Sequence, residues 1–167
     1  MVSLAIMSSA QHPQHVNVYK DFPAAYQALS ALEQACANGP LDHALFELVK
    51  LRASQINGCA FCIEMHTREA LQAGETAARL FLLDAWAETP HYTPRERAAL
   101  AWTEALTLVA ATHAPDADYA GLLPHFTEEE IVKLSLLIAT INAWNRLAIG
   151  FRAVPGQAAA KAAPAAA

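Results

Sequence analysis

Two thiols and one imidazole fall within eight residues of this chain, Cys59-Ala-Phe-Cys62-Ile-Glu-Met-His66. Their offsets of three, four and seven are neighbour spacings of a helix with 3.6 residues per turn. A helix therefore gathers all three on one face. A cysteine pair that can close a disulfide beside a proton acceptor is a redox device or a metal site. Where the pair opens a helix, unpaired backbone N–H groups carry partial positive charge and favour a thiolate. His66 follows Cys62 by four residues, so its ring can lie beside that sulfur, and Cys62 is the better placed to lose its proton. Cys59, one turn earlier and expected nearer the surface, would resolve the oxidised form. A sulfenic acid on Cys62 would condense with the Cys59 thiol to a disulfide.

Glu47 extends this cluster from the preceding element. It lies about ten residues before the corner Asn57-Gly58, or roughly 15 Å along a helix. His66 lies about eight residues after that corner, or roughly 12 Å along the next helix. A helical hairpin turning at Asn57-Gly58 brings the two level. A carboxylate behind an imidazole fixes its tautomer and raises its basicity. Glu47 also interrupts the apolar pattern Leu45-Phe46-Leu48-Val49, where a carboxylate needs a partner.

Two other readings of the cluster stay open. Cys59, Cys62, His66 and Glu47 offer donors that zinc accepts, although structural zinc sites usually bring a second cysteine or histidine pair. The cysteines could also be two small buried residues. A thioredoxin-like arrangement does not fit, because that motif follows a strand in an α/β sheet.

The elements that must position these residues read as helix after helix. Pro23 starts one that runs through Tyr26, Leu29, Leu32 and Ala35 and stops at Asn38-Gly39-Pro40. Asp42 caps a second, with Leu45, Leu48, Val49 and Leu51 as a buried stripe. Asn57-Gly58 ends it, and a third runs from near Cys59 to Ala73-Gly74. A fourth is expected from Glu75 to Ala87. Thr93-Pro94-Arg95-Glu96 is a capping box with proline at the first helical position, opening a fifth helix through Val109. A short helix follows Pro115-Asp116. A second capping box, Thr127 to Glu130, opens a long apolar helix to about Phe151. Alternating strand patterns are missing, so the fold class is all-α. Residues 1–16 read as a flexible N-terminal segment, 17–153 as one helical domain and 154–167 as a disordered Ala-rich tail.

Composition narrows the function. Of 167 residues, 54% are hydrophobic and only 16% charged, which fits a large core and subunit contacts. The net charge of −5 offers no basic stripe for nucleic acid. No apolar run approaches the roughly 20 residues needed to cross a bilayer. Three cysteines are too few for a secreted disulfide scaffold, and the N-terminus lacks a basic signal-peptide region, which points to the cytoplasm.

Other residues have plainer readings. Cys36 is expected to be a small core residue, and His43 a surface one. His91, His113 and His125 sit in loop-like stretches without partners. Trp86, Trp102 and Trp144 fall on apolar helix faces and read as core or interface. Asn142, Asn145 and Arg146 interrupt the apolar last helix, and interhelical or intersubunit hydrogen bonds are their expected use. Ser54 and Asn57 could reach the cysteine cluster, although a cap explains Asn57 equally well.

The stretch from Glu47 to His66 resembles the core motif of the AhpD-like alkylhydroperoxidases, which belong to the carboxymuconolactone decarboxylase superfamily. The pattern is Glu-x11-Cys-x2-Cys-x3-His. The likeness extends to Gly74-Glu75, Tyr92-Thr-Pro-Arg-Glu-Arg97 and Ile141-Asn-Ala-Trp-Asn-Arg146, and so covers most of the helical region. It implies an all-α fold that forms trimers or hexamers and reduces peroxides through the cysteine pair. By that pattern Cys62 corresponds to the peroxidatic cysteine, Cys59 to the resolving one, His66 to the relay base and Glu47 to its carboxylate. The implied partners are a peroxide substrate and an external dithiol or reductase, with no bound cofactor. The chain departs from the pattern at Phe61, where AhpD carries a histidine. The decarboxylase branch does not use a CxxC pair. A thiol-dependent peroxidase is therefore the leading expectation. A dithiol–disulfide oxidoreductase or redox sensor is the second, and a metal-stabilised helical oligomer the third.

Overall fold

Both expected capping boxes are formed. The Thr93 hydroxyl accepts from Glu96 N–H at 3.2 Å while Glu96 accepts from Thr93 N–H at 2.7 Å. Thr127 and Glu130 repeat the exchange at 3.3 and 2.8 Å. Each box satisfies two N–H groups that a helix start otherwise leaves unpaired. The computed structural model describes residues 14–38 and 41–156. Their helices are α1 (Val18–Asp21), α2 (Pro23–Ala37), α3 (His43–Asn57), α4 (Ala60–Gln72), α5 (Ala77–Leu82), α6 (Pro94–Thr107), α7 (Val109–Thr112), α8 (Asp116–Leu122) and α9 (Glu128–Gly150). A 3-10 segment, Leu83–Glu88, follows α5. No strand occurs among the described residues, and the class is all-α as expected. No helix among them is long and apolar enough to cross a membrane.

The fourth expected helix, Glu75 to Ala87, is broken in two. Thr76 caps α5 by accepting from Arg79 N–H, so the helix starts after Glu75. The chain then leaves helical geometry at Ala85. The carbonyls of Trp86, Ala87 and Thr89 are taken by the Arg97 guanidinium at 2.9–3.0 Å, and Trp86 O also accepts from Thr89 N–H at 3.4 Å. The fifth expected helix likewise stops at Thr107, and α7 ends with His113 at φ 55°. The short α1 has no counterpart in the sequence expectation. It is anchored by Asn17, whose N–H donates to Asp21 at 2.9 Å.

Helix α3 is the centre of the molecule, with α4, α6 and α9 packed around it. The sequence suggests a buried stripe, yet every residue from Leu45 to Ser54 is buried. Surrounding helices leave this helix no solvent face. One core fills the space between α2, α3, α6, α8 and α9, with Leu45, Val49, Leu122, Leu134 and Ile138 enclosed. A second lies between α3, α4, α5, the 3-10 segment and α6, around Leu48, Leu51, Leu80, Leu83 and Leu100. Each such side chain contributes about 1.5–3 kcal/mol on leaving water. The same enclosure draws Glu47, Lys50 and Arg52 inside, where each must be paired.

The tail expected to be disordered from 154, and the N-terminal segment expected to be flexible through 16, fall mostly outside the described residues. The described ends run over α4 and α9: His15 N–H donates to Phe151 O at 3.1 Å, and Gly156 N–H donates to Glu64.

Candidate active site

Gly58 closes α3 in the left-handed conformation, φ 69°, and its N–H returns to the carbonyls of Ser54 and Gln55. Glycine adopts that geometry without a Cβ penalty, which lets the chain reverse within two residues. Cys59 then serves as the N-cap of α4, its sulfur accepting from Cys62 N–H at 3.4 Å. The two sulfurs are joined as a disulfide, with Cα atoms 5.4 Å apart. Both cysteines are buried, but only Cys62 lines the adjoining cavity. The expectation that Cys59 lies nearer the surface is not met, since both are equally enclosed and it is Cys62 that reaches the cavity. As the N-cap, Cys59 points back under the helix start, and Cys62, three residues on, reaches the cavity wall.

The hairpin brings Glu47 level with His66 as the helix lengths require. Nδ1 of His66 stands 3.2 Å from Glu47 Oε2 and 3.1 Å from Glu69 Oε2. Two carboxylates against one ring nitrogen place the proton on Nδ1. Nε2 is then the acceptor. It is enclosed without a hydrogen-bond partner among the described residues, and His66 is 1% exposed. A buried acceptor left open beside a cavity is what a proton-transfer group needs.

Lys50 completes the array. Its ammonium lies 3.3 Å from Glu47 Oε1 and 2.9 Å from Glu33 Oε1. Burial pushes the Glu47 carboxyl up. The hydrogen bond from His66 and the Lys50 ammonium outweigh this and hold it below the usual carboxylate range. Glu47, His66 and Glu69 bring one donor atom each within 4.8 Å, a set of the kind that can hold a divalent cation. In this chain they form a hydrogen-bonded array with an ammonium already against Glu47, which opposes a second cation.

The cavity holds about 250 Å³. Its polar wall includes Tyr26, Ser30, Glu33, Lys50, Cys62, His66 and Glu69. Its apolar wall includes Phe61, Met65, Trp144, Leu147 and Phe151. Phe61 packs with the cysteines against Met65, Ala148 and Ala153.

The model of the carboxymuconolactone decarboxylase family matches residues 23–105. The uncharacterized protein YdfG of Bacillus subtilis is 40% identical over 136 residues, 81% of this chain and 92% of its own. A crystal structure from Agrobacterium tumefaciens is described as a protein of unknown function and putative antioxidant defence protein AhpD. It superposes with a TM-score of 0.83 at 44% identity, covering 86% of this chain and 98% of that one.

The chain belongs to the AhpD-like carboxymuconolactone decarboxylase superfamily.

Alkyl hydroperoxide reductase AhpD of Rhodopseudomonas palustris is 48% identical over 44 residues, 26% of this chain and 24% of that protein. In this AhpD-like chain all four residues singled out by spacing, Glu47, Cys59, Cys62 and His66, converge at one place. Cys36 is a buried free thiol in the core, as expected. His43, His91 and His113 are exposed and His125 half-buried, all away from the cavity. The Ser54 carbonyl accepts from Cys59 N–H at 3.0 Å, but the side chains of Ser54 and Asn57 turn to α9. Asn57 donates to Asn142 and Asn145 at 3.0 and 2.8 Å, and Asn145 donates to Ser54 at 3.0 Å, tying α3 to α9. Arg146 stays on its own helix, bonding Asn142. Trp144, read as core or interface, is instead a cavity wall whose indole N–H donates to Glu33 at 2.9 Å. Lys50, Glu69 and Glu33 were not foreseen. The first two carry a legible signal, since each lies three residues after a relay member and shares its helix face. Glu33 comes from α2, and no local pattern links it to the motif.

Proposed function

We propose that this chain is a thiol-dependent peroxidase that reduces hydrogen peroxide or alkyl hydroperoxides. The observation that carries the reading is the position of Cys62, on a cavity wall it shares with His66, whose Nε2 is open and whose Nδ1 is held by carboxylates. In the reduced enzyme Cys62 gives its proton to His66, and the thiolate attacks the terminal peroxide oxygen. The S–O bond forms as the O–O bond breaks. The leaving alkoxide takes the proton from His66 and departs as the alcohol. The Cys59 thiol then attacks the Cys62 sulfenic sulfur, the disulfide forms and water leaves with the Cys59 proton. An external dithiol, oxidised in turn, reopens the bond. Glu47 keeps His66 in the working tautomer. No bound cofactor is needed for these steps.

Phe61 supports a second reading. With an apolar ring where AhpD has a histidine, the pair could serve mainly as a dithiol–disulfide oxidoreductase or redox sensor that exchanges electrons with a partner protein. We place the activity in the cytoplasm and in a homotrimer or homohexamer. Exposed Phe22 and Phe81 supply apolar surface for subunit contacts.

Mass spectrometry of the reduced protein before and after one equivalent of cumene hydroperoxide tests the peroxidase reading. The expected product is one alcohol per chain, loss of two thiols and a Cys59–Cys62 link. Peroxide left unconsumed while a lipoyl or thioredoxin-type dithiol still exchanges with the pair would favour the second reading.

A further inference from the structure

Lys50 has no role in the steps above, yet it is one of the most enclosed charges in the protein. It is 4% exposed. Lysines are almost never buried to that degree unless paired, because a desolvated ammonium is costly. The α3 helix sets it one turn after Glu47, on the same face. Its nitrogen meets Glu47 on one side and Glu33 on the other, and it stands 4.4 Å from the centre of the Phe46 ring. The two oxygens of Glu47 are thereby divided: Oε1 faces Lys50 and Oε2 faces His66. Glu33 is itself fixed, since its second oxygen accepts from the Trp144 indole. A continuous chain of polar contacts thus runs from α9 through α2 and α3 to α4.

The arrangement at His66 gives the ammonium a task beside that of the His66 N–H. Glu47 and Glu69 share one Nδ1–H. Of two carboxylates this close, the more buried would take a proton if nothing opposed it, and that is Glu47. A protonated Glu47 is a donor on one oxygen and no longer secures the Nδ1 proton. Tautomer control would pass to the partly exposed Glu69.

We propose that Lys50 is a positioning residue of the relay, clamped by Glu33 so that Glu47 stays a carboxylate aimed at His66. The inference rests on Glu47 and His66 serving Cys62, as in the proposed function. The ionisable groups facing this clamp are Tyr26 and Glu33 from α2, with the buried Cys36 thiol beside Glu33, Glu47 on α3, and Cys62, His66 and Glu69 from α4. The cavity residues contributed by α9 and by the N-terminal segment are not ionisable. On the α6 side, Glu104 is paired with Arg52.

The test is the pH dependence of Cys62 alkylation by iodoacetamide in the reduced Cys59→Ser protein, a readout that needs no peroxide turnover. Lys50→Met should move the midpoint up by about one pH unit, a roughly tenfold slower reaction on the acid side with the same alkaline plateau. Glu33→Gln should also move it up, by less, because Lys50 loses the clamp that holds it on Glu47, whereas loss of the Glu33 charge alone would move it down. In a Glu47→Gln background, Lys50→Met should add no further shift. An unmoved midpoint in Lys50→Met overturns the assignment. So does a full-sized shift that persists with Glu47→Gln, because the ammonium would then act on Cys62 directly. Should Lys50→Met lose its helical circular dichroism, Glu33→Gln decides, and an unmoved or lowered midpoint there overturns the proposal. A chain that shows these shifts but consumes no peroxide would refute the peroxidase reading and leave this one standing.

Discussion

Glu47 is the residue on which the site turns. Taking a carboxylate out of water costs several kcal/mol, and a buried ion pair repays that only when its hydrogen bonds are complete. Glu47 has both oxygens occupied, by Lys50 and by His66. Removing one partner of a buried pair typically costs about 3–5 kcal/mol. Here each orphan keeps a second partner, since Lys50 retains Glu33 and His66 retains Glu69. Glu47→Ala should therefore cost less, about 2 kcal/mol, read as a lower urea midpoint with unchanged slope. Its peroxide turnover should fall by about 10²-fold or more, the usual contribution of a positioned proton-transfer group. The link between Glu47 and His66 is legible in the sequence because helix rise and one Asn-Gly corner fix their relative height. The same spacing argument reaches Lys50 and Glu69, but charged residues three apart on a helix usually face solvent together. What reverses this for Lys50 is the enclosure of α3, which no single segment reveals.

At the scale of elements, the α3–α4 hairpin sets the distance between carboxylate and imidazole. Gly58 is the hinge. A Cβ there would meet no atom within 4 Å, so only the backbone conformation opposes a side chain. Gly58→Ala should cost about 1 kcal/mol, and Gly58→Asn less, since asparagine tolerates the left-handed region. Thermal melts of the two variants check the order. A larger loss for asparagine would contradict it. Capping boxes, proline starts and the Asn-Gly stop were readable because they are local chemistry. The break between α5 and the 3-10 segment was not, because it depends on Arg97 reaching across from α6 to take the freed carbonyls.

The whole molecule carries its charge sparingly and pairs the few charges it buries, which ties stability to pH. Burial pushes the Glu96 carboxyl up, but the hydrogen bond from Arg79 and those at the Thr93 cap hold it below the ordinary range, as His66 and Lys50 hold Glu47. A carboxyl with a folded value below its unfolded value of about 4.3 binds fewer protons in the folded chain. Its stabilisation is complete above the unfolded value and is lost as pH falls through the folded one. Calorimetric melting should be nearly level from about pH 7 to 5 and drop below about pH 4. A midpoint that rises on acidification would contradict this. The all-α class was evident from helical periodicity along the chain. The cavity was not, because its walls come from α2, α3, α4, α9 and the segments before α1 and after α9, and only packing brings them together. The central claim is that Cys62 attacks the peroxide and Cys59 only resolves it. Single-turnover stopped-flow with the reduced protein and tert-butyl hydroperoxide tests it most directly. The Cys59→Ser variant should consume one equivalent at the parent rate and stop at a sulfenic acid, and Cys62→Ser should consume none. Consumption by Cys62→Ser at the parent rate would contradict the account.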